Sequence, residues 1–181
     1  VPDDARAAYV IGMGMSAALA HAVPDLPVAR HKELGLRFRH HYIARQHDIV
    51  LFDGTLQMLQ ALKQRHHALA VATGKSRLGL NEALRSSQLG ALFDATRTAD
   101  QTAPKPDPQM LMELMAECGT APGRCLMVGD TTHDLQTAVN AGVACVGVSY
   151  GAHRSDDFER FAPLHIAHSP RELHDWLLQH G

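Results

Sequence analysis

From residue 68 onward, short apolar runs alternate with longer stretches of helical periodicity. The runs Ala68–Ala72, Cys125–Val128 and Ala144–Val148 have the length and composition of buried strands. Helices are predicted between them, most clearly over Lys75–Ser87 and Gln109–Cys118. Strands that alternate with helices of about ten residues are typical of βαβ units. The sequence therefore predicts an α/β fold with a parallel sheet flanked by helices.

The segment before this alternation has a different character. Residues 1–48 contain helical candidates at Ala5–Val10, Met15–Val23 and His31–Arg45, and they contain no strand pattern. Two glycines between the first two candidates are interpreted as a break between helices. We therefore predict two units, a helical one over residues 1–48 and an α/β one over residues 49–181.

Composition excludes several classes of partner. A chain of 181 residues with 20% charged and 45% hydrophobic residues can bury one substantial core. Its formal net charge of −2 gives no electrostatic basis for binding nucleic acid or an anionic membrane. No apolar run approaches the roughly 20 residues of a membrane span. The three cysteines lack CxxC spacing, which favours reduced thiols and a cytoplasmic location, whereas the oligomeric state cannot be read.

One apolar run leads directly into two acidic residues. Leu126–Gly129 reads as a strand and Leu135–Ala141 as the following helix, so Asp130 ends the strand and Asp134 lies near the first helical turn. Two carboxylates that converge at ~4 Å would repel by about 4 kcal/mol at an effective dielectric near 20. A Mg²⁺ ion, which accepts one or two carboxylates plus phosphate oxygens, would relieve this repulsion. The alternative is a helix N-cap aspartate followed by a first-turn acid.

Two further segments could contact a phosphate. Thr73-Gly74-Lys75-Ser76 follows a strand and opens a helix, where a hydroxyl and free N–H groups bind anions well, although an ordinary helix cap is the alternative. A nucleotide P-loop is excluded because its first glycine would fall on Leu69. Lys105 lies between two prolines, which hold it on a stiff turn suited to a fixed anion, or simply in a solvated loop.

These three segments, in this order and spacing, resemble motifs of the haloacid dehalogenase-like hydrolases. The match comprises Thr73-Gly74-Lys75, Lys105-Pro106-Asp107-Pro108 and Gly129–Asp134, and it is closest to phosphoglycolate phosphatase-like members that carry a helical cap. The resemblance implies a Rossmann-like core over residues 49–181, with residues 1–48 forming part of the cap. It also implies Mg²⁺-dependent hydrolysis of a small phosphorylated metabolite through an aspartyl-phosphate.

The resemblance assigns roles to five residues of these motifs. Asp130 would hold Mg²⁺, and Asp134 would be a second carboxylate at or beside the metal. Thr73 and Gly74 would bind the transferring phosphoryl group, and Lys105 would neutralise the nucleophile and the phosphate together. Thr73 and Lys105 are therefore the predicted catalytic residues. Such roles agree with phosphoryl transfer as mostly positioning and charge stabilisation.

The family's first motif, Asp-x-Asp-x-Thr, has no counterpart before the predicted cap. Asp53-Gly54-Thr55 imitates its end, but the nucleophile's position would be Leu51, so Asp53 is predicted to form a turn instead. We expect an N-terminal extension in the intact protein, and no activity from these 181 residues alone. A non-catalytic phosphate- and metal-binding module and a phosphomutase of the same family remain alternatives.

Several other polar residues are weaker candidates. His133 lies between the two aspartates and could touch a substrate, although a solvated or capping role is the preferred interpretation. Arg39, His40 and Arg45 could face a substrate anion from the helical unit, but a solvated helix face explains them as well. Substrate identity is therefore not predicted.

Overall fold

The computed structural model describes residues 2–45 and 49–181. Its first part is helical, as predicted, and each helix ends within one residue of the expected boundary. The part of the prediction that falls on residues 46–48 lies outside the described residues. Asp3 caps the first helix by accepting a hydrogen bond of 2.7 Å from the backbone N–H of Arg6. These helices are α1 (Asp4–Tyr9), α2 (Met15–Ala22) and α3 (His31–Ala44).

The second part alternates strands and helices, which confirms the predicted α/β class. Every strand pairing within it is parallel. The strands are β1 (Ala70–Thr73), β2 (Ala95–Thr98), β3 (Leu126–Gly129), β4 (Ala144–Val148) and β5 (His165–Ala167). The helices are α4 (Thr55–Gln64), α5 (Arg77–Ser87), α6 (Gln109–Glu117), α7 (Thr132–Asn140) and α8 (Pro170–His180).

The strands form two sheets. In the first, β1 pairs with β2, with Ala70 opposite Ala95; in the second, the order is β3-β4-β5, with Leu126 opposite Ala144. Within the described ranges the two sheets share no hydrogen-bonded strand pair. The carboxyl ends of β1 and β3 are the edges that carry the predicted phosphate and metal residues, as expected for an α/β sheet.

Three local differences from the prediction have identifiable causes. Helix α7 begins at Thr132, one turn earlier than predicted, because Thr131 and Asp134 form a capping box. Helix α5 begins at Arg77, two residues later than predicted, because Ser76 is its N-cap. Strand β5 was not predicted, since a three-residue strand is too short to show a periodicity.

Two apolar clusters hold the second part together. One lies around α6, α7 and β4 and includes the fully buried Leu135 and Phe158. The other packs α4 and α8 on β4 and β5, and its buried members include Leu173, Leu177 and Val146. No described helix combines the length and apolar content that crossing a bilayer requires.

Phe158 fits against a strand glycine. A Cβ built on Gly147 would lie 2.6 Å from the Phe158 ring, so the ring occupies space that any side chain at this strand position would need. Because real Cβ atoms do not approach this closely, the ring and the glycine form a matched pair in the core.

We predict that Phe158→Ala lowers the free energy of unfolding by about 3–5 kcal/mol, because it removes a fully buried ring and leaves a cavity over β4. Urea denaturation followed by circular dichroism measures this change. The matched control is Leu164→Ala, whose side chain is 61% exposed and should cost less than about 0.5 kcal/mol. Equal effects of the two substitutions would contradict the described packing.

Candidate active site

A buried lysine connects the end of β1 with the start of α7. The Nζ atom of Lys105 donates hydrogen bonds to the carbonyl oxygen of Ala72, at 2.8 Å, and to Oδ1 of Asp134, at 2.5 Å. The side chains of Lys105 and Asp134 are only 4% and 7% exposed. The interpretation of Lys105 as a solvated loop residue is therefore wrong. Burying both charges is tolerable because each is paired and hydrogen-bonded.

Asp134 also completes the capping box of α7. Its Oδ2 accepts hydrogen bonds from the backbone N–H of Thr131, at 3.1 Å, and from the Thr131 hydroxyl, at 2.8 Å. The helix N-cap is thus Thr131, so the interpretation of Asp130 as the N-cap is wrong. Both carboxylate oxygens of Asp134 already accept hydrogen bonds.

Asp130 is held by the loop after β4. Its Oδ2 accepts a hydrogen bond of 2.9 Å from the backbone N–H of Ala152, and its carbonyl oxygen accepts one of 3.0 Å from the N–H of His153. A Cβ built on Gly151 would lie 2.2 Å from Cβ of Asp130, so only glycine permits this approach. Burial raises the pKa of the neighbouring Tyr150, and the negative charge of Asp130 adds to the effect.

The remaining oxygen of Asp130 suits a hard cation. In the described part of the chain no donor reaches Oδ1, which leaves it available as a ligand. Mg²⁺ commonly takes one or two carboxylates and completes its shell with water and phosphate oxygens, so this donor fits it chemically. Within residues 2–45 and 49–181 no group of three or more His, Cys, Asp or Glu residues could hold an ion by itself.

The phosphate segment forms a tight turn directly after β1. The Thr73 hydroxyl oxygen accepts a hydrogen bond of 3.2 Å from the N–H of Lys75, so its own hydrogen remains free to donate. A Cβ on Gly74 would lie 2.5 Å from the carbonyl oxygen of Gly12 and 2.6 Å from that of Met13. The helical part thus presses directly on this turn. The cap of α5 is Ser76, which accepts from the N–H of Gly79 at 3.3 Å.

An aromatic cluster joins the helical part to α7, and the sequence did not predict it. His133 is buried, and its Nε2 lies 2.8 Å from the carbonyl oxygen of Tyr9, so the prediction that it is solvated is wrong. Burial lowers the pKa of His133. The ring of His153 stacks on Tyr9 and accepts, at Nδ1, a hydrogen bond of 3.1 Å from the N–H of Thr132.

Part of this cluster could have been predicted from the sequence, because ligands bind at the carboxyl ends of parallel strands. Residues 149–153 follow β4 at the same edge that carries Asp130, and Gly151 is a position for close backbone approach. Tyr9 carried no such signal, because its contact with His133 spans 124 residues of chain.

The remaining sequence candidates lie away from these contacts. His40 and Arg45 are exposed on and just after α3, and Arg39 is partly exposed. Asp53 is exposed in a turn that Gly54 makes possible with its φ of +82°, as the sequence predicted.

The chain resembles known proteins over most of its length. A family model described as haloacid dehalogenase-like hydrolase matches residues 4–148. The "Probable phosphatase IndB" of Dickeya dadantii is 37% identical over 125 residues, which cover 68% of this chain and 54% of that protein. The "Phosphoglycolate phosphatase" of Pseudomonas putida is 31% identical over 133 residues, which cover 72% of this chain and 48% of that protein. The chain therefore spans about half the length of these curated relatives.

A solved structure has the same fold. The crystal structure of a hydrolase from Pseudomonas syringae superposes with a TM-score of 0.88, covering 97% of this chain and 83% of that one. The two sequences are 22% identical, so the likeness concerns the fold. It supports the predicted Rossmann-like architecture.

We predict that Lys105→Met lowers the free energy of unfolding by about 3–5 kcal/mol, because it leaves the buried Asp134 without its cation. The matched control is Lys63→Met, which breaks a partly exposed pair with Asp94 and should cost at most about 1 kcal/mol. Urea denaturation of both variants measures the two values. Similar small losses would show that the Lys105–Asp134 pair is not buried as described.

We also predict a pH-dependent contribution from His133. Its folded-state pKa lies below the unfolded value near 6.5, so the unfolded chain binds the proton more readily and stability falls as pH decreases. The stability of the wild type relative to His133→Gln should therefore be greatest above about pH 7 and decrease toward pH 5. Urea denaturation across this range measures the difference. A difference that is constant with pH would contradict the burial of His133.

Proposed function

Because the chain belongs to the haloacid dehalogenase-like hydrolases, we propose that the protein is a Mg²⁺-dependent phosphatase of small phosphorylated metabolites, similar to phosphoglycolate phosphatases. The observation that carries this proposal is the arrangement around Lys105. A buried ammonium connects the end of β1 to α7, while Asp130 offers an open carboxylate oxygen directly after β3, the strand that precedes α7.

The donors at this edge suit a phosphoryl group. Lys105 has three N–H hydrogens, and its contacts with Ala72 and Asp134 use two of them, so one remains to donate to a phosphate oxygen. The Thr73 hydroxyl offers a second donor at the end of β1. Fixed donors of this kind stabilise the charge of a transferring phosphoryl group without reorganising during the reaction.

The two aspartates would serve different purposes. Asp130 would hold the Mg²⁺, which supplies charge neutralisation to the phosphate oxygens when it is bound. Asp134 would act through Lys105, because its carboxylate fixes the ammonium and the N-terminus of α7 in place. The Gly151–His153 segment would hold the backbone and one oxygen of Asp130 still.

The nucleophile is the part that the described residues do not identify. Asp134 is paired with Lys105, Asp130 is the proposed metal ligand, and Asp53 lies in an exposed turn. A second candidate is a module that binds phosphate and metal without hydrolysis, because the contacts of Lys105 and Asp130 would serve binding alone equally well. A location in the cytoplasm and the lack of a nucleic-acid partner remain predictions from composition.

We predict that the product of the complete open reading frame releases phosphate from small phosphate esters with Mg²⁺ and loses this activity in EDTA. Asp130→Asn should lower kcat/KM by at least about 100-fold, because it replaces the proposed ligand by a neutral amide. A malachite-green assay over a panel of esters measures the release.

The matched control is Asp156→Asn, which changes an exposed carboxylate on the loop beyond His153 and should leave kcat/KM within twofold. Mg²⁺ and phosphate binding by calorimetry, with no hydrolysis of any ester, would favour the binding module instead.

A further inference from the structure

A second lysine lies at the same edge and differs from Lys105 in its pairing. Lys75 follows Gly74 in the phosphate turn, and its Nζ donates a hydrogen bond of 2.5 Å to the hydroxyl oxygen of Tyr42 on α3. The ammonium also lies 4.4 Å from the centre of the Tyr42 ring. No carboxylate lies within ion-pair distance of it in the described part of the chain. Its charge is therefore held by a neutral partner.

The pair of Lys75 and Tyr42 has donors in excess. An ammonium carries three N–H hydrogens, and the contact with Tyr42 uses one of them. The phenol oxygen accepts that bond, so its own O–H hydrogen remains free. In the described ranges neither the two remaining N–H groups nor this O–H reaches an acceptor. Three free donors around one cation suit an anionic group with several oxygens.

The position of the pair places it beside the proposed phosphate site. Lys75 lies two residues after Thr73 in the same turn, and its backbone N–H donates a hydrogen bond of 3.2 Å to the Thr73 hydroxyl oxygen. Both Lys75 and Tyr42 are half-buried, and their contact joins α3 to the core. A cation in such a place is screened by water less than one at the surface.

We propose that Lys75 and Tyr42 form a second anion subsite, which binds a negative group at the non-reacting end of the substrate. This inference rests on the proposed phosphatase function. It names the substrate class as phosphate esters with a second anionic group, either a carboxylate or another phosphate. The subsite also ties substrate to α3, since an anion bound there contacts the helical part and the core together.

Two other roles for Lys75 lead to different measurements. A lysine that only neutralised the reacting phosphate would act on every phosphate ester alike. A lysine that only linked α3 to the core would affect stability without distinguishing ligands. The test therefore compares ligands that share one phosphonate and differ at the other end.

The probes are phosphonoacetate, methylenediphosphonate and ethylphosphonate, titrated by calorimetry with Mg²⁺ into the product of the complete open reading frame. Lys75→Met should weaken binding of the first, the second or both at least about tenfold, because a charge-assisted hydrogen bond is lost. Ethylphosphonate, with a neutral end, should bind within twofold of wild type. The first two probes distinguish a carboxylate subsite from a phosphate subsite.

Three further variants sharpen the comparison. Lys75→Arg keeps the charge and should stay within about threefold of wild type for the doubly anionic probes, whereas Tyr42→Phe keeps the ring and should weaken them about threefold or more. Lys32→Met removes an exposed lysine of α3 and controls for net charge. Should Lys75→Met fail to fold, Tyr42→Phe with the same three probes gives the decisive comparison.

Equal weakening of all three probes by Lys75→Met, or no weakening of any, would overturn the subsite. Measuring ester hydrolysis as well as probe binding tests the phosphatase function separately from the subsite. If Lys75→Met weakens only the doubly anionic probes but the wild type hydrolyses no ester, the subsite is supported and the phosphatase function is refuted. A wild type that hydrolyses esters, with KM values that Lys75→Met leaves unchanged for doubly anionic and neutral substrates alike, keeps the phosphatase and refutes the subsite.

Discussion

The ion pair between Lys105 and Asp134 is the interaction on which the candidate site depends. It connects the first sheet, through the carbonyl oxygen of Ala72, with the N-terminus of α7. Two buried charges are costly unless each is fully satisfied, and here Asp134 is satisfied further by Thr131. The need to pair these two buried charges therefore determines how the end of β1 and the start of α7 lie relative to each other.

This balance also divides the acidic residues by task. Both carboxylate oxygens of Asp134 accept hydrogen bonds, from Lys105 and from Thr131. A neutral residue in its place would leave the buried charge of Lys105 without a counter-ion. Asp130 keeps one oxygen open and is fixed by backbone N–H groups, which leaves its charge available. Two carboxylates four positions apart thus have different neighbours: Asp134 contacts Lys105 and Thr131, whereas Asp130 contacts the backbone N–H of Ala152.

The sequence predicted the fold class, and it predicted that Thr73 and Asp130 lie at the ends of strands. Apolar runs and helix caps are local signals. Thr73 and Asp130 each come at the end of an apolar run, and Lys105 lies between two prolines. The sequence did not predict which side chains from distant segments contact each other. Nothing local in Lys105 indicates that it is buried against Asp134, and nothing in Tyr9 indicates a contact with His133. Such contacts depend on how distant segments pack, and the same is true of Lys75 and Tyr42.

The absence of a side chain at Gly74 has a consequence for how such a protein can change over time. Because the carbonyl oxygens of Gly12 and Met13 fill the space where a Cβ would lie, the turn and the α1–α2 connection are fitted to each other. A new residue at position 74 would be accepted only after the connection had shifted. Natural variation in these two segments should therefore be correlated, and a helical part transplanted from a relative would have to bring its matching turn with it.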